Sequence, residues 1–440
     1  MRVPRDRREA MQMDQGGSDR RPPSTELAGR ELSVLGAVWL ALAIATPVLS
    51  YSREAVFAII IAGALILTRT RSGRARPTAA GALYLLTFSV GLARGSDNQD
   101  FRFSAAILAI APIAFVLGRR IGTDPRASRA IFRTFLGLAV AAAVLALLER
   151  AGGDYLFRGS YFIDSARRGG ELRARAFLPQ TLVLAWFCVV AVPFAASREL
   201  VRDFAVRASL VSLLIAGALS TGSRSSIAWL LIGTGTAVAV SSIQRTRAAG
   251  ALAPALLLVI LIAAGPSVIR GISESSAVSS SDPVVASAEY RTALYGQLSS
   301  ELQRNPLGTG MGRIPIGHLV IPTALGPIDA SKTVDSEYVF AAIRFGLLGV
   351  AFWAAVSLGV IRRIGTSVRA LHVATITGLA FGSILALEVW IPIVALLAIL
   401  LGISHSDLPH RSRIGHRGQR ATVDHSGKDS AAGSAISSPH

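Results

Sequence analysis

Lysine is nearly absent from this chain: Lys332 and Lys428 are the only two in 440 residues. Positive charge is carried by arginine instead, and it dominates, with a formal net charge of +18. Cysteine is scarcer still. Cys188, alone and inside an apolar run, cannot form an intramolecular disulfide and reads as a small core residue. The seven histidines show no metal-ligand spacing, and five of them fall after residue 404. No Asp-x-Asp pair is present to hold a divalent cation with a nucleotide sugar. There is no Walker phosphate loop, no His-Glu-x-x-His and no Gly-x-Ser-x-Gly. These absences count against metal-dependent chemistry and ATP-driven transport, and no cofactor or metal is expected.

What the chain has is apolar length. Hydrophobic residues make up 51% and mean hydropathy is +0.50. They are gathered into runs long enough to cross roughly 30 Å of hydrocarbon. Only helices satisfy their own backbone there, so the expected fold is all-α: a polytopic membrane helix bundle. About twelve runs are expected as transmembrane helices, at about 32–49, 55–68, 78–95, 103–118, 131–149, 177–196, 208–222, 226–243, 251–269, 338–361, 370–386 and 388–403; the short second run and the near-contact of the last two leave a range of 11–13. Residues 1–30 read as a disordered cytoplasmic arm, 31–403 as the transmembrane domain and 404–440 as a disordered cytoplasmic tail. Arginines follow every second connection, from Arg69–Arg76 to Arg362–Arg369, which puts both termini in the cytoplasm of a multi-pass protein of the cell membrane. In such a chain a basic total means orientation and attraction to membrane lipid, and no nucleic-acid partner is expected.

Two outer segments break the charge pattern. One is 150–176, with Arg150, Arg173 and Arg175 among its six arginines; the other is the large hydrophilic loop 270–337. Outer arginines that topology does not require point to anion binding. Arg175 and Arg224, the latter in Ser220-Thr-Gly-Ser-Arg224, are therefore candidate substrate-binding residues, with a lipid-phosphate anchor as the plainer reading of Arg224. Within the loop, about 285–304 reads as a helix. Arg291, Leu294, Tyr295, Leu298 and Leu302 form one stripe, and Asn305-Pro306 ends it. Arg291 either meets substrate or snorkels from the stripe's end. Gly308, Gly310 and Gly312 follow no strand, so they predict a tight turn with close backbone approach, not a nucleotide site. Asp335 and Glu337 stand where the loop re-enters the membrane, and a carboxylate at a low-dielectric boundary can act as a base. The same acids suit a helix N-terminus. His318 is a third candidate base. Arg344 lies seven residues after Glu337 and binds either substrate or that acid.

The ordered set Ser223-Arg224, then Arg291-Thr-Ala-Leu-Tyr295 with Asn305-Pro-Leu-Gly-Thr-Gly310-Met-Gly312, then Asp335-Ser-Glu-Tyr338 with Phe345-Gly-Leu-Leu-Gly349 resembles the O-antigen ligase/polymerase superfamily of bacterial membrane glycosyltransferases. The resemblance covers roughly 200–360. It implies a GT-C-like fold and metal-independent transfer of an undecaprenyl-pyrophosphate-linked glycan onto an acceptor glycan. It assigns the pyrophosphate to Arg224 and Arg291. The ligase branch carries His-Asn before the re-entering span. This chain has Asp335-Ser336 there, which favours a polymerase over a ligase that attaches finished glycan to lipid or protein. A lipid-linked sugar flippase is the non-enzyme alternative, but no internal repeat supports it.

Overall fold

A computed structural model describes residues 23–48, 53–69, 79–95, 101–158, 172–223, 229–231, 233, 293–312, 314–323, 326–329, 331, 334, 336–363, 369–383, 385–387 and 389–406. Met1–Ser406 is one compact unit, and everything after Ser406 lies outside the described residues. The described elements are α1 (Pro23–Ala45), α2 (Arg53–Arg69), α3 (Ala79–Gly95), α4 (Phe101–Gly122), α5 (Pro125–Gly152), α6 (Thr181–Ala195), α7 (Phe204–Ser220), α8 (Leu298–Arg304), β1 (Val320–Thr323), β2 (Gly326–Asp329), α9 (Glu337–Arg362), α10 (Arg369–Ala380) and α11 (Ile391–Ser404). Each apolar run that falls among the described residues is helical; the runs at 226–243 and 251–269 fall almost wholly outside them. α4, α5 and α9 have the length and hydropathy of membrane spans, and α6, α7, α10 and α11 are shorter apolar helices. α1 begins at Pro23, so its first turns occupy part of the segment expected to be an arm.

Local chemistry sets the helix ends. Asp124 caps α5 by accepting Arg126 N–H at 2.8 Å, with Pro125 in the first turn and Gly153 left-handed after the last. Asp203 caps α7 through Val206 N–H at 2.9 Å. α6 and α11 are buried on nearly every residue, so they form the centre of the bundle. Between α5 and α6, Phe132 stacks on Phe194 and Phe135 meets Phe187 and Phe194 edge-on, and Trp186 donates its indole N–H to Gly378 O at 3.1 Å. α4 packs against α11 through Gly118 and Gly402. A Cβ at either would overlap the partner backbone at Ile399 or Phe115. Without water to drive association, such close backbone approach is what holds membrane helices together.

Two features depart from the expected outline. β1 and β2 form an antiparallel hairpin with Val320 opposite Asp329, inside the loop for which a helix is the expected element. It packs a small core of its own, in which Leu294, Ile314, Leu319, Ile321, Val334, Val339 and Ile343 are buried together. The second is α9, expected as a continuous span. Gly346 inside it has φ 60° and ψ −141°, which no helix contains. Residues 337–345 make a helix about 14 Å long and 347–362 one about 24 Å long, neither reaching across a bilayer core unaided. The two fold back on each other: a Cβ on Gly349 would overlap Ala341 O, and Trp353 reaches Glu337.

Candidate functional site

The break in α9 is built by the glycine-rich segment before it. A chain reversal exposes carbonyls and amides that need partners. Here Pro306 O accepts Leu347 N–H, Ile343 O accepts Thr309 N–H and Arg344 O accepts Gly310 N–H, each at 2.8 Å. Met311 N–H then donates to Gly91 O of α3 at 3.0 Å. Gly308, Gly310 and Gly312 have φ of 72°, 91° and 109°. A Cβ on Gly308 would overlap the Arg344 carbonyl, and one on Gly310 the backbone at Arg94 and Gly95. The expectation of a tight turn with close backbone approach is met, and the approached backbone is that of Arg344.

Arg344 is 3% exposed. Its guanidinium carbon lies 5.0 Å from the Phe340 ring centroid and 5.1 Å from that of Phe345. Such flanking aromatic faces stabilise a desolvated cation. Glu337 is fully buried in the first turn of α9, and Trp353 Nε1 donates to its Oε1 at 3.1 Å. Ser336 caps that turn and also meets Tyr295, whose hydroxyl lies 2.8 Å from Ser336 Oγ and donates to Ser383 O at 3.0 Å. Ser383 ends the 3-10 turn Phe381–Ser383, and the Trp229 ring stacks on Phe381 with centroids 4.8 Å apart. Among the described residues, Ser383 Oγ and Trp229 Nε1 are buried without a hydrogen-bond partner. Buried polar groups are nearly always hydrogen-bonded, so these two stand out from the surrounding core.

Phe381–Ser383 is therefore where three sequence-distant segments meet. Trp229 follows Arg224 by five residues, Tyr295 follows Arg291 by four, and Ser336 follows Asp335 directly. Arg224, Arg291 and Asp335 themselves lie outside the described residues.

In the arginine-rich segment 150–176, several of the arginines bond to backbone carbonyls. Arg173 Nε donates to Thr221 O at 3.2 Å and Arg150 Nη1 to Ser220 O at 3.4 Å, capping the C-terminus of α7. Cations are favoured at that end of a helix. Ala174 N–H adds a bond to Ser220 O at 3.2 Å. Two of the arginines expected to bind an anion thus hold the turn that leads into Arg224. Arg175 is fully buried, stacked 4.3 Å from the Tyr155 centroid, and donates to Phe157 O at 2.9 Å. Beneath it the buried Glu149 accepts the N–H groups of Leu156, Arg175 and Ala176.

His318 stands before β1, where its Nε2 lies 2.7 Å from Glu301 Oε1. Nothing in the sequence marks Glu301 as its partner. Glu301 sits beside the apolar stripe of the loop helix, and its burial sets it apart from Glu residues on wet faces. That stripe itself is as expected, with Leu294 buried, Leu298 and Leu302 half-buried, and Asn305 ending α8.

Residues 209–354 match the O-Antigen ligase family. The resemblance to the O-antigen ligase/polymerase superfamily is borne out over that third of the chain, which contains all three motif segments and the break at Gly346. No curated protein and no solved structure matches. The family match supports ligase/polymerase-type activity in general, with a lipid-linked glycan and an acceptor as its substrates, in a membrane protein of the cell envelope.

Proposed function

We propose that this protein is a polysaccharide polymerase, transferring undecaprenyl-pyrophosphate-linked oligosaccharide onto an acceptor glycan at the outer face of the cytoplasmic membrane. The observation that carries the reading is the meeting of Trp229, Tyr295 and Ser336 around Phe381–Ser383, each within five residues of Arg224, Arg291 or Asp335. Arg224 and Arg291 bind the pyrophosphate, with Arg344 and Arg175 as further cations of the site. In a poorly solvated pocket, preorganised guanidinium charge stabilises a departing diphosphate strongly, supplying what a divalent cation supplies in other transferases. The acceptor hydroxyl oxygen bonds to the anomeric carbon as the bond from that carbon to the pyrophosphate oxygen breaks. The electron pair leaves on the pyrophosphate, and Asp335, Glu337 or His318 takes the hydroxyl proton. Both termini face the cytoplasm, which puts loop 270–337 outside, and the carrier enters sideways from the bilayer.

Asp335-Ser336 in place of His-Asn favours polymerase over ligase. Deleting the gene separates them. A polymerase deletion leaves single repeat units attached to their acceptor. A ligase deletion leaves long polymer on the carrier, unattached. Full-length, attached polymer in the deletion strain would refute both.

A further inference from the structure

Glu301 and His318 form a bonded pair whose geometry is more specific than loop packing requires. Glu301 is 5% exposed, one turn from the end of α8. Its Oε1 faces two groups, His318 Nε2 at 2.7 Å and Asn305 Nδ2 at 2.8 Å. Asn305 opens the Asn305-Pro306 motif, so the carboxylate ties the glycine-rich segment to the hairpin side of the loop. A buried carboxylate requires such partners, and His318 turns its Nε2 edge to Glu301. That leaves Nδ1 on the opposite edge of the ring. No described residue is hydrogen-bonded to it, and the His318 side chain is 23% exposed.

The surroundings keep His318 in place. Gly317 takes φ 80°, and His318 N–H donates to Pro315 O at 3.1 Å. Leu319, the next residue, is buried with Leu294, Val339 and Ile343, in the same small core as the first half of α9. The other acid facing this turn, Asp329 of β2, is committed to backbone, accepting Gly317 N–H at 2.9 Å and Ser331 N–H at 3.0 Å. Arg304, in the last turn of α8, is exposed. By contrast, Glu337 is sealed under Trp353 with no exposure.

We propose that Glu301 is a positioning residue that makes His318 the general base of the transfer. The inference rests on the glycan-transfer reading above. His318 Nδ1 takes the acceptor hydroxyl proton while that oxygen bonds to the anomeric carbon and the pyrophosphate leaves with the electron pair. Glu301 stabilises the imidazolium so formed, which then releases its proton to solvent. The arrangement is a buried carboxylate orienting a histidine, with substrate on the far nitrogen.

The test uses the full chain in proteoliposomes, with a polyprenyl-pyrophosphate-linked repeat unit as donor, and reads kcat, KM and melting temperature. His318→Gln should lower kcat about 100-fold or more with donor KM near wild type. Glu301→Gln keeps the acceptor oxygen for both neighbours but removes the charge. It should lower kcat about tenfold with donor KM and melting temperature near wild type, the split expected of an interaction made in the transition state. A purely structural Glu301 would lower the melting temperature and leave kcat of the folded protein near wild type. His318→Asn serves as the second variant if His318→Gln does not fold. Wild-type kcat in the folded His318 variant, or in folded Glu301→Gln, overturns the inference. If Arg291→Ala is then inactive, the transfer reading survives without it. A wild-type protein with no transfer activity sinks both.

Discussion

Gly308→Ala should cost the protein its broken helix. Gly308 has φ 72°, a conformation that costs an L-residue about 1–2 kcal/mol. Its Cβ would overlap the carbonyl carbon and oxygen of Arg344. That backbone cannot retreat, because Gly310 N–H is bonded to the same carbonyl and Thr309 N–H to the one before it. Overpacking of this kind adds about 1–3 kcal/mol. Together the two terms remove a large share of a marginal stability of about 5–15 kcal/mol. Gly317→Ala is the matched control. It has φ 80° and nothing within 4 Å of the added Cβ, so it carries the strain without the collision. Thermal melting of the three purified proteins separates strain from collision. Gly308→Ala should fall well below Gly317→Ala, and should lose the bulk of its transfer activity with Arg344 and Glu337 displaced. Equal shifts for the two variants would mean that the packing of residues 306–311 into α9 carries no weight.

Arg291→Ala should lower transfer about 100- to 1000-fold, the usual consequence of removing one preorganised group from a developing negative charge. Arg291 heads the stripe whose next members, Leu294 and Tyr295, lie in the small core of the loop and against Ser336. Arg291→Lys separates two explanations of the same loss. A guanidinium grips phosphate oxygens in a planar fork, and an ammonium offers only a point charge. If the fork matters, lysine fails nearly as badly as alanine; if Arg291 only snorkels, both variants keep long-chain glycan in cells at normal protein level. Glycan ladders on gels, with the protein quantified by immunoblot, distinguish these outcomes.

Much of this architecture is legible in the sequence alone. Apolar runs separated by arginines locate the helices because bilayer thickness leaves few other solutions. The motif segments are likewise visible, and so is the turn at Gly308–Gly312. The break at Gly346 is not. Glycine inside an apolar run is ordinary in membrane helices, and nothing local tells it to take φ 60°. The instruction comes from Pro306, Thr309 and Gly310, nearly forty residues earlier, whose backbone groups satisfy the exposed ends. The hairpin is hidden because Pro322 and Pro327, which face each other across it, read as breakers. The capping bonds of Arg150 and Arg173 are hidden for another reason. An arginine that caps a helix carbonyl and one that binds an anion look the same in sequence, and the Ser220 and Thr221 carbonyls are brought to them only by the fold.

At the heart of this reading is transfer of a diphosphate-linked glycan by residues gathered around Phe381–Ser383. The decisive experiment supplies purified full-length protein in proteoliposomes with a polyprenyl-pyrophosphate-linked repeat unit and nothing else. The expected product is a ladder of longer glycans with one polyprenyl pyrophosphate released per bond formed, lost in Arg224→Ala and Arg291→Ala. Movement of intact donor across the bilayer with no new glycosidic bond would overturn the assignment.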